Sequence, residues 1–284
     1  MITARARWFW LLGLCLIIFS QSPAWGGQEG GQTLDLSQVK LIAHRGYHVE
    51  APENSLAAIQ AAIDLGISGC EVDLRTSKDG HLVLIHDASL ERTTTGRGPV
   101  NQYFLSDLKQ LFLKHKKRGV TSQRIPALEE AFKLLKKNPD FSLSLDLKDA
   151  DPAQTAKLAL DHGVADQVVF AISNPHKIAQ VRAIQKIDPS LKISVDILMW
   201  WKIEGLPSFT VKSLGVQALF ASEWFFPRYG FAEAREAGAE VVVFLYGQHK
   251  LKERLLRAVS LGAQVVSSDR PDILKRELKA LREQ

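Results

Sequence analysis

Short apolar runs alternate with amphipathic stretches along the chain from residue 38 onward. Most of these runs are almost continuously apolar and rich in β-branched residues, a pattern typical of parallel strands covered by helices. Eight strands are predicted: Val39–Ala43, Gly69–Leu74, Phe141–Leu147, Gln167–Ile172, Lys192–Ile197, Val216–Phe220, Glu240–Leu245 and Gln264–Ser267.

Helix signals fill the intervals between these strands. Predicted helices start near Glu53-Asn54-Ser55 and at Pro152 after Asp151, and two more occupy Pro126–Lys137 and Pro271–Leu281. Several helices end in a glycine before the next strand, as helices commonly do. Eight strands with intervening helices in about 240 residues predict an α/β fold, a TIM-type (β/α)8 barrel. A doubly wound open sheet is the alternative.

One hairpin signal interrupts the alternation after the second strand. Asp79-Gly80 is a strong two-residue turn signal, and such a turn pairs Lys78 with His81. The same register places Asp73 opposite His86, with Cβ atoms about 5 Å apart. Residues 75–125 are therefore expected to form a small insertion at the catalytic face of the barrel.

The N-terminus has the pattern of a secretory signal peptide. Two arginines precede an apolar run of about twelve residues, 8–19, which is shorter than the roughly twenty needed to span a bilayer. A small-x-small cleavage site follows at Ala24-Trp25-Gly26. We therefore expect residues 1–26 to be a cleaved signal peptide, 27–37 a flexible leader and 38–284 one domain. An uncleaved anchor is the alternative.

Composition narrows the function classes. The chain has 46% hydrophobic and 24% charged residues, which is ordinary for a globular protein, and a net charge of +5. That excess is too small and too evenly spread to indicate nucleic-acid binding. Cleavage leaves Cys70 as the one cysteine, so a disulfide within the processed chain is excluded, and Cys70 is expected to pack in the core. No obligate protein partner is indicated.

Acidic side chains gather at the ends of neighbouring predicted strands. Glu71 and Asp73 lie two residues apart on the second strand and point the same way, and Asp146 ends the third. In a barrel, carboxyl ends of strands carry catalytic residues. Three carboxylates from adjacent strands form a hard oxygen site, suited to Mg²⁺ or Ca²⁺.

Histidines and fixed cations fall at the same end. His44 and His86 offer a general acid and a general base, whereas Arg45 and Lys148 are able to hold a phosphoryl oxygen. Together with a divalent metal, these groups indicate phosphodiester hydrolysis. The alternative is structural, with Arg45 and Lys148 neutralising the carboxylates in buried salt bridges.

An ordered set of short motifs connects these residues: His44-Arg45-Gly46, Pro52-Glu53-Asn54-Ser55, Glu71-Val72-Asp73, Lys78-Asp79-Gly80, His86-Asp87 and Leu90-Glu91-Arg92-Thr93-Thr94. This set resembles the glycerophosphodiester phosphodiesterase family, in particular its secreted bacterial members. A weaker resemblance extends through 125–130 to Ser267-Ser268-Asp269-Arg270-Pro271 and so covers essentially all of the processed chain.

The resemblance implies a TIM-type barrel that hydrolyses glycerophosphodiesters to glycerol 3-phosphate and an alcohol. It implies His44 and His86 as the acid–base pair, and Arg45 and Lys148 as the phosphate contacts. It also implies one divalent cation, Ca²⁺ or Mg²⁺, with three ligands: Glu71, Asp73 and Asp146. With the signal peptide, it predicts a periplasmic or secreted enzyme that has no stable membrane span once processed.

Three positions depart from the family pattern. Asp146 stands where the family usually has Glu, and Ser55 stands where it usually has Thr. The seventh strand ends in Phe244-Leu245-Tyr246-Gly247 rather than in a Trp-Thr-Val-Asn type motif, which changes one wall of the pocket. Met199-Trp200-Trp201 after the fifth strand is an aromatic segment that either packs on the barrel or stacks a choline-type head group.

Two other functions are consistent with these residues. A phospholipase D of the sphingomyelinase type shares the paired histidines and the acidic metal site, but such proteins tend to carry disulfides near the site. A non-catalytic phosphodiester-binding barrel is the second alternative, and the retained histidine pair counts against it.

Overall fold

Eight parallel strands, each formed by one of the predicted apolar runs, close into a barrel. The computed structural model describes residues 35–173, 178–196, 206–223 and 231–283. The predicted signal peptide, most of the leader and Met199-Trp200-Trp201 lie outside the described residues. The strands are β1 (Lys40–Ala43), β2 (Gly69–Thr76), β3 (Leu82–Leu84), β4 (Phe112–His115), β5 (Gly119–Arg124), β6 (Ser142–Leu147), β7 (Val168–Ile172), β8 (Lys192–Asp196), β9 (Ala218–Ser222), β10 (Glu240–Leu245) and β11 (Val265–Ser268).

The order of the barrel strands is β1-β11-β10-β9-β8-β7-β6-β2, and β2 pairs again with β1. The closing pairs are Ile42 with Gly69 and Ala43 with Cys70, both parallel. Because β1 has a neighbour on each side, the barrel has no free edge there. The predicted (β/α)8 barrel is confirmed, and the open-sheet alternative is wrong.

Helices follow the strands and cover the outside of the barrel. They begin where the sequence offers caps: Ser55 Oγ accepts from Ala58 N at 3.0 Å, and Asp151 Oδ1 accepts from Gln154 N at 2.7 Å. The helices in the described residues are α1 (Leu56–Asp64), α2 (Leu105–Leu108), α3 (Leu128–Lys136), α4 (Pro152–Asp161), α5 (Ile178–Ile187), α6 (Leu206–Leu214), α7 (Ala232–Glu236), α8 (Leu251–Ser260) and α9 (Pro271–Arg282).

The main hydrophobic core lies between the strands and this layer of helices. Cys70 is completely buried in it, as expected. None of the helices in the described ranges combines the length and the apolar character needed to cross a bilayer.

The predicted register of the β2–β3 hairpin is wrong by one residue. The observed pairs are Leu74 with Leu84, Arg75 with Val83 and Thr76 with Leu82. The turn has three residues rather than two, because Ser77 N–H donates to His81 O at 2.8 Å and Gly80 takes a φ of +83°.

The longer turn changes the partner of Asp73. Ile85, and not His86, lies across from it, with Ile85 N–H donating to Asp73 O at 3.0 Å. His86 follows the end of β3 and reaches the pocket from there. A one-residue change of register exchanges the faces of a strand, which is why the turn decides this contact.

The insertion after the second strand has a core of its own. It contains β3, β4, β5 and α2, and β4 pairs with β5 in a separate antiparallel sheet. Seven side chains form its hydrophobic cluster: Val83, Ile85, Leu90, Val100, Leu108, Leu113 and Ile125. This cluster supports the segment that carries His86 and Arg92.

Candidate active site

The seven residues singled out in the sequence meet at one end of the barrel. Six of them line a cavity of about 360 Å³ inside the barrel: His44, Arg45, Glu71, His86, Asp146 and Lys148. The seventh, Asp73, is buried and contacts Arg45 and Lys148.

The three carboxylates form one cluster. The pairing of β2 with β6 puts Asp73 directly beside Asp146, and Glu71 lies two residues earlier on β2. One oxygen from each side chain lies within 4.8 Å of the other two. Burial raises the pKa of Glu71 well above its usual value, and the charges of Asp73 and Asp146 raise it further.

This cluster fits a divalent cation. Three hard oxygen donors converge, and the charges of Asp73 and Asp146 add to the burial that raises the pKa of Glu71. These donors suit a hard cation of the Mg²⁺ or Ca²⁺ type, whose positive charge would offset theirs.

Lys148 and Arg45 partly neutralise the same carboxylates. Lys148 Nζ lies 3.0 Å from Asp73 Oδ1 and 2.5 Å from Asp146 Oδ2, and Arg45 Nε lies 3.3 Å from Asp73 Oδ2. Burial alone would lower the pKa of Lys148, but the two carboxylates outweigh it and raise that pKa. The salt bridges of the structural alternative are therefore observed. Both cations also face the cavity.

Asn54 fixes the position of Asp73. Asn54 Nδ2 donates to Asp73 Oδ2 at 2.8 Å, and Asp73 N–H donates to Asn54 Oδ1 at 3.0 Å. Both Asn54 and Arg45 adopt a positive φ, 55° and 54°, which is uncommon outside glycine and is often found at functional sites. The turn also lets Arg45 N–H donate to Glu71 Oε2 at 2.9 Å.

His44 is held between an aspartate and the carboxylate cluster. Its Nδ1 lies 2.8 Å from Asp269 Oδ1, and its Nε2 lies 3.8 Å from Glu71 Oε2. Because a carboxylate accepts at Nδ1, that nitrogen carries the proton and Nε2 presents a lone pair to the pocket. Burial lowers the pKa of His44, so the neutral form is favoured.

His86 has the same arrangement with a local partner. Its Nδ1 lies 2.6 Å from Asp87 Oδ1. Arg92 donates to Asp87 Oδ2 at 2.5 Å and to Glu53 at 2.7 and 2.8 Å, and Arg45 donates to Glu53 Oε1 at 3.0 Å. The hydrogen bond from Arg92 holds the pKa of Asp87 well below its usual range. The network thus connects the histidine of the insertion to Arg45 on the barrel.

Sequence reasoning missed the supporting residues of the site. Asp87, Asn54 and Asp269 all lie inside recognised motifs, but they were given no role. For Asp87, adjacency to His86 was an available signal. For Asp269, no local signal existed, since it lies 225 residues from His44 along the chain.

Two of the three departures from the family pattern, Asp146 and the altered end of β10, line the cavity, and the third, Ser55, caps α1. Asp146 reaches the carboxylate cluster in spite of its shorter side chain, and Ser55 keeps the capping hydroxyl of α1. The altered strand end forms an aromatic wall. The ring of Phe244 lies edge-on to His44 at 4.5 Å between centroids, and Tyr246 contacts Phe244 at 4.1 Å.

Known proteins match this sequence over part of their length. The glycerophosphodiester phosphodiesterase of Caldanaerobacter subterraneus subsp. tengcongensis is 33% identical over 162 residues, which are 55% of this chain and 65% of that protein. The glycerophosphodiester phosphodiesterase of Bacillus subtilis is 25% identical over 201 residues, 64% of this chain and 68% of that protein. The matched region thus spans about two thirds of the length of these relatives.

Solved structures match over more of the fold. The crystal structure of a glycerophosphodiester phosphodiesterase from Agrobacterium tumefaciens has a TM-score of 0.70 and 26% identity, covering 82% of this chain and 97% of that one. A phosphodiesterase from Oleispira antarctica, solved with its product sn-glycerol-3-phosphate, has a TM-score of 0.70 and 25% identity, covering 86% and 97%. The glycerophosphoryl diester phosphodiesterase family model matches residues 44–273. The chain therefore belongs to the glycerophosphoryl diester phosphodiesterase family.

Proposed function

We propose that the protein hydrolyses glycerophosphodiesters to glycerol 3-phosphate and an alcohol, with one divalent cation, Ca²⁺ or Mg²⁺. The observation that carries this proposal is the placement of two histidines, each with an aspartate on Nδ1, beside three converging carboxylates. An acid, a base and a cation site within one cavity are the groups that phosphodiester hydrolysis requires.

Glu71, Asp73 and Asp146 would hold the cation, whose positive charge would polarise a phosphoryl oxygen and favour deprotonation of an attacking hydroxyl. Arg45 and Lys148 face the same cavity and hold the other phosphoryl oxygens as charge builds on them. Asn54 keeps Asp73 oriented towards the cation site.

The two histidines divide the proton transfers. His44, kept neutral by burial, accepts the proton of the attacking hydroxyl at Nε2, and His86 donates a proton to the leaving alcohol. With the glycerol 2-hydroxyl as nucleophile, the product of this step is a cyclic phosphate. Water then opens it, with His86 as the base and His44 as the acid. Direct attack by water is the alternative route.

The substrate is a small molecule, and the carboxyl-terminal face of the barrel is its binding site. We propose that the enzyme acts in the periplasm or outside the cell, because residues 1–26 have the pattern of a signal peptide.

The test is release of glycerol 3-phosphate from glycerophosphocholine and glycerophosphoethanolamine by the purified protein. Reactions contain EDTA, Mg²⁺ or Ca²⁺, and the variants are His44→Ala, His86→Ala and His81→Ala. His81 is a matched control because it is a histidine that directly follows the β2–β3 turn and lies outside the residues that line the cavity. We expect metal-dependent release that is retained in His81→Ala and lost in the other two variants.

Failure to release glycerol 3-phosphate with any metal, from protein shown to be folded, would reject the proposal. Hydrolysis of intact lysolipids, without hydrolysis of the deacylated diesters, would then favour the phospholipase D alternative. Binding of glycerophosphocholine without turnover of either substrate class would favour the non-catalytic barrel.

A second assay assigns the histidine roles and the nucleophile. Replacing choline by p-nitrophenol removes the need for a general acid, because that leaving group departs as an anion. We expect this substrate to restore much of the lost rate in His86→Ala and little in His44→Ala. A 2-deoxyglycerol diester that is not cleaved would support the cyclic route, whereas its cleavage at the normal rate would support direct attack by water.

A further inference from the structure

A second group of metal-binding side chains adjoins the carboxylate cluster. Asp269 Oδ1 lies 2.8 Å from His44 Nδ1 and 3.1 Å from His48 Nε2. These two nitrogens and the carboxylate oxygen all lie within 4.8 Å of one another. His48 takes no part in the proposed hydrolysis, so its approach to the same oxygen has no explanation in that reaction.

The donor set differs in chemistry from the carboxylate cluster. Two imidazoles and one carboxylate are ligands that Zn²⁺ prefers, whereas three carboxylates suit Mg²⁺ or Ca²⁺. In a tetrahedral zinc site with bonds of about 2.0–2.2 Å, neighbouring donor atoms are roughly 3.3 Å apart. The observed separations of 2.8 and 3.1 Å are therefore a few tenths of an ångström short of that spacing.

The three side chains are accessible to solvent, and His115 holds the backbone of His48 in place. His44, His48 and Asp269 are 22%, 27% and 32% exposed, so an ion and its remaining water ligands can reach them. The backbone carbonyl of His48 lies 3.2 Å from His115 Nε2 at the end of β4. Because His115 Nδ1 accepts the N–H of Arg118 at 3.2 Å, Nε2 carries the proton and donates it to that carbonyl.

We propose that His44 Nδ1, His48 Nε2 and the carboxylate of Asp269 form a second metal site, for Zn²⁺ or a similar borderline ion, and that its occupation inhibits hydrolysis. The binding half of this proposal stands without the proposed function, and the inhibitory half rests on it. Metal at Nδ1 moves the proton of a neutral His44 to Nε2. The lone pair that faces the pocket is then replaced by an N–H, and His44 can no longer accept a proton.

Binding is tested with Co²⁺, whose visible absorption reports coordination by nitrogen ligands, in the presence of saturating Mg²⁺. We expect one Co²⁺ per chain, displaced by Zn²⁺. His48→Gln should weaken binding by at least about ten-fold, as loss of metal-site groups does. His81→Gln is the matched control, because His81 also pairs with a carboxylate, Asp79 at 3.8 Å, and it should bind normally.

The Asp146→Asn variant separates the two sites. Co²⁺ affinity that survives in Asp146→Asn and falls in His48→Gln and His48→Ala supports the histidine site. Equal affinity in wild type and both His48 variants would overturn it, and so would loss of the absorption in Asp146→Asn, which would place the ion at the carboxylate cluster. Circular dichroism confirms that each variant is folded.

Inhibition is tested on the same proteins with glycerophosphocholine. At fixed Mg²⁺, Zn²⁺ should lower kcat of the wild type, and His48→Gln should need at least about ten-fold more Zn²⁺ for the same effect. Co²⁺ binding at the histidine site without inhibition by Zn²⁺ would overturn the inhibitory half. Absence of hydrolysis in metal-replete wild type would instead reject the proposed function, and the absorption experiment would still decide the site.

Discussion

The Nδ1 atom of His44 lies 2.8 Å from Oδ1 of Asp269, and this contact sets which ring nitrogen faces the pocket. The insertion repeats the arrangement with His86 and Asp87 at 2.6 Å. Each histidine therefore has Nε2 as its free ring nitrogen, with the ring oriented by a carboxylate on Nδ1. The barrel supplies one such pair, and the insertion supplies the other.

Asp269→Asn should impair catalysis more than binding. The amide no longer fixes the tautomer of His44, so the proton-transfer contribution, typically about 10²–10⁴-fold, is largely lost. We expect kcat for glycerophosphocholine to fall by about 10²-fold or more, with a small change in KM. Asp272→Asn, which removes a nearby aspartate bonded to Arg270, is the control and should keep most of the activity. A similar loss of kcat in both variants would contradict the assignment.

The activity should persist at mildly acidic pH. Burial holds the pKa of His44 below its ordinary value of 6.5, so the neutral base is lost only as the pH falls through a value under 6.5. Asp269→Asn removes a carboxylate that raises this pKa, and it should move the acid limb of kcat/KM to still lower pH. The lowered pKa of His44 in the wild type also predicts that the free energy of unfolding decreases as the pH falls from about 6.5. The reason is that the unfolded chain binds a proton at this histidine more readily than the folded chain does. An acid limb of kcat/KM at or above pH 6.5 in the wild type would contradict a lowered pKa of His44.

Divalent cations should raise the melting temperature. Burial, and then repulsion from Asp73 and Asp146, raise the pKa of Glu71, and a bound cation would offset both effects. At 100 times its Kd, a ligand contributes about 2.7 kcal/mol to the free energy of unfolding. Asp146→Asn should reduce the Ca²⁺- or Mg²⁺-induced shift in Tm, measured by calorimetry with EDTA as reference. Asp149→Asn is the matched control, since Asp149 binds Arg75 just past the same strand. An undiminished shift in Asp146→Asn would exclude Asp146 as a ligand.

Gly46→Ala should be destabilising for two reasons. Its φ is +75°, and a Cβ there would lie 2.7 Å from Ala58 Cβ and 2.8 Å from the carbonyl carbon of Ala58. Overpacking of this kind costs about 1–3 kcal/mol, in addition to about 1–2 kcal/mol for the left-handed conformation. Gly80→Ala, with φ +83° and open space around the new Cβ, should show the second cost alone. Urea denaturation measures the difference, and equal losses in the two variants would contradict the packing argument.

The strands and caps could be predicted because their signals are local. Glu240–Leu245 was predicted with its observed bounds, and the hydroxyl of Ser55 caps α1 as its motif indicated. Helix α3 begins at Leu128 rather than at Pro126, because Ala127 is still extended. The predicted hairpin register is wrong for a different reason. The dihedral angles of the three turn residues, Lys78 to Gly80, decide the register, and an Asp-Gly pair does not distinguish turns of two and three residues.

The sequence by itself determined the eight strands, their helices and the set of side chains at one end of the barrel, since strand periodicity and cap chemistry act over a few residues. The tertiary structure decided which of those side chains touch. Asp73 lies beside Asp146 because β2 pairs with β6, and Asp269 reaches His44 because β11 pairs with β1. Such contacts join residues far apart in the chain, and their geometry depends on strand order and register, which no local pattern specifies.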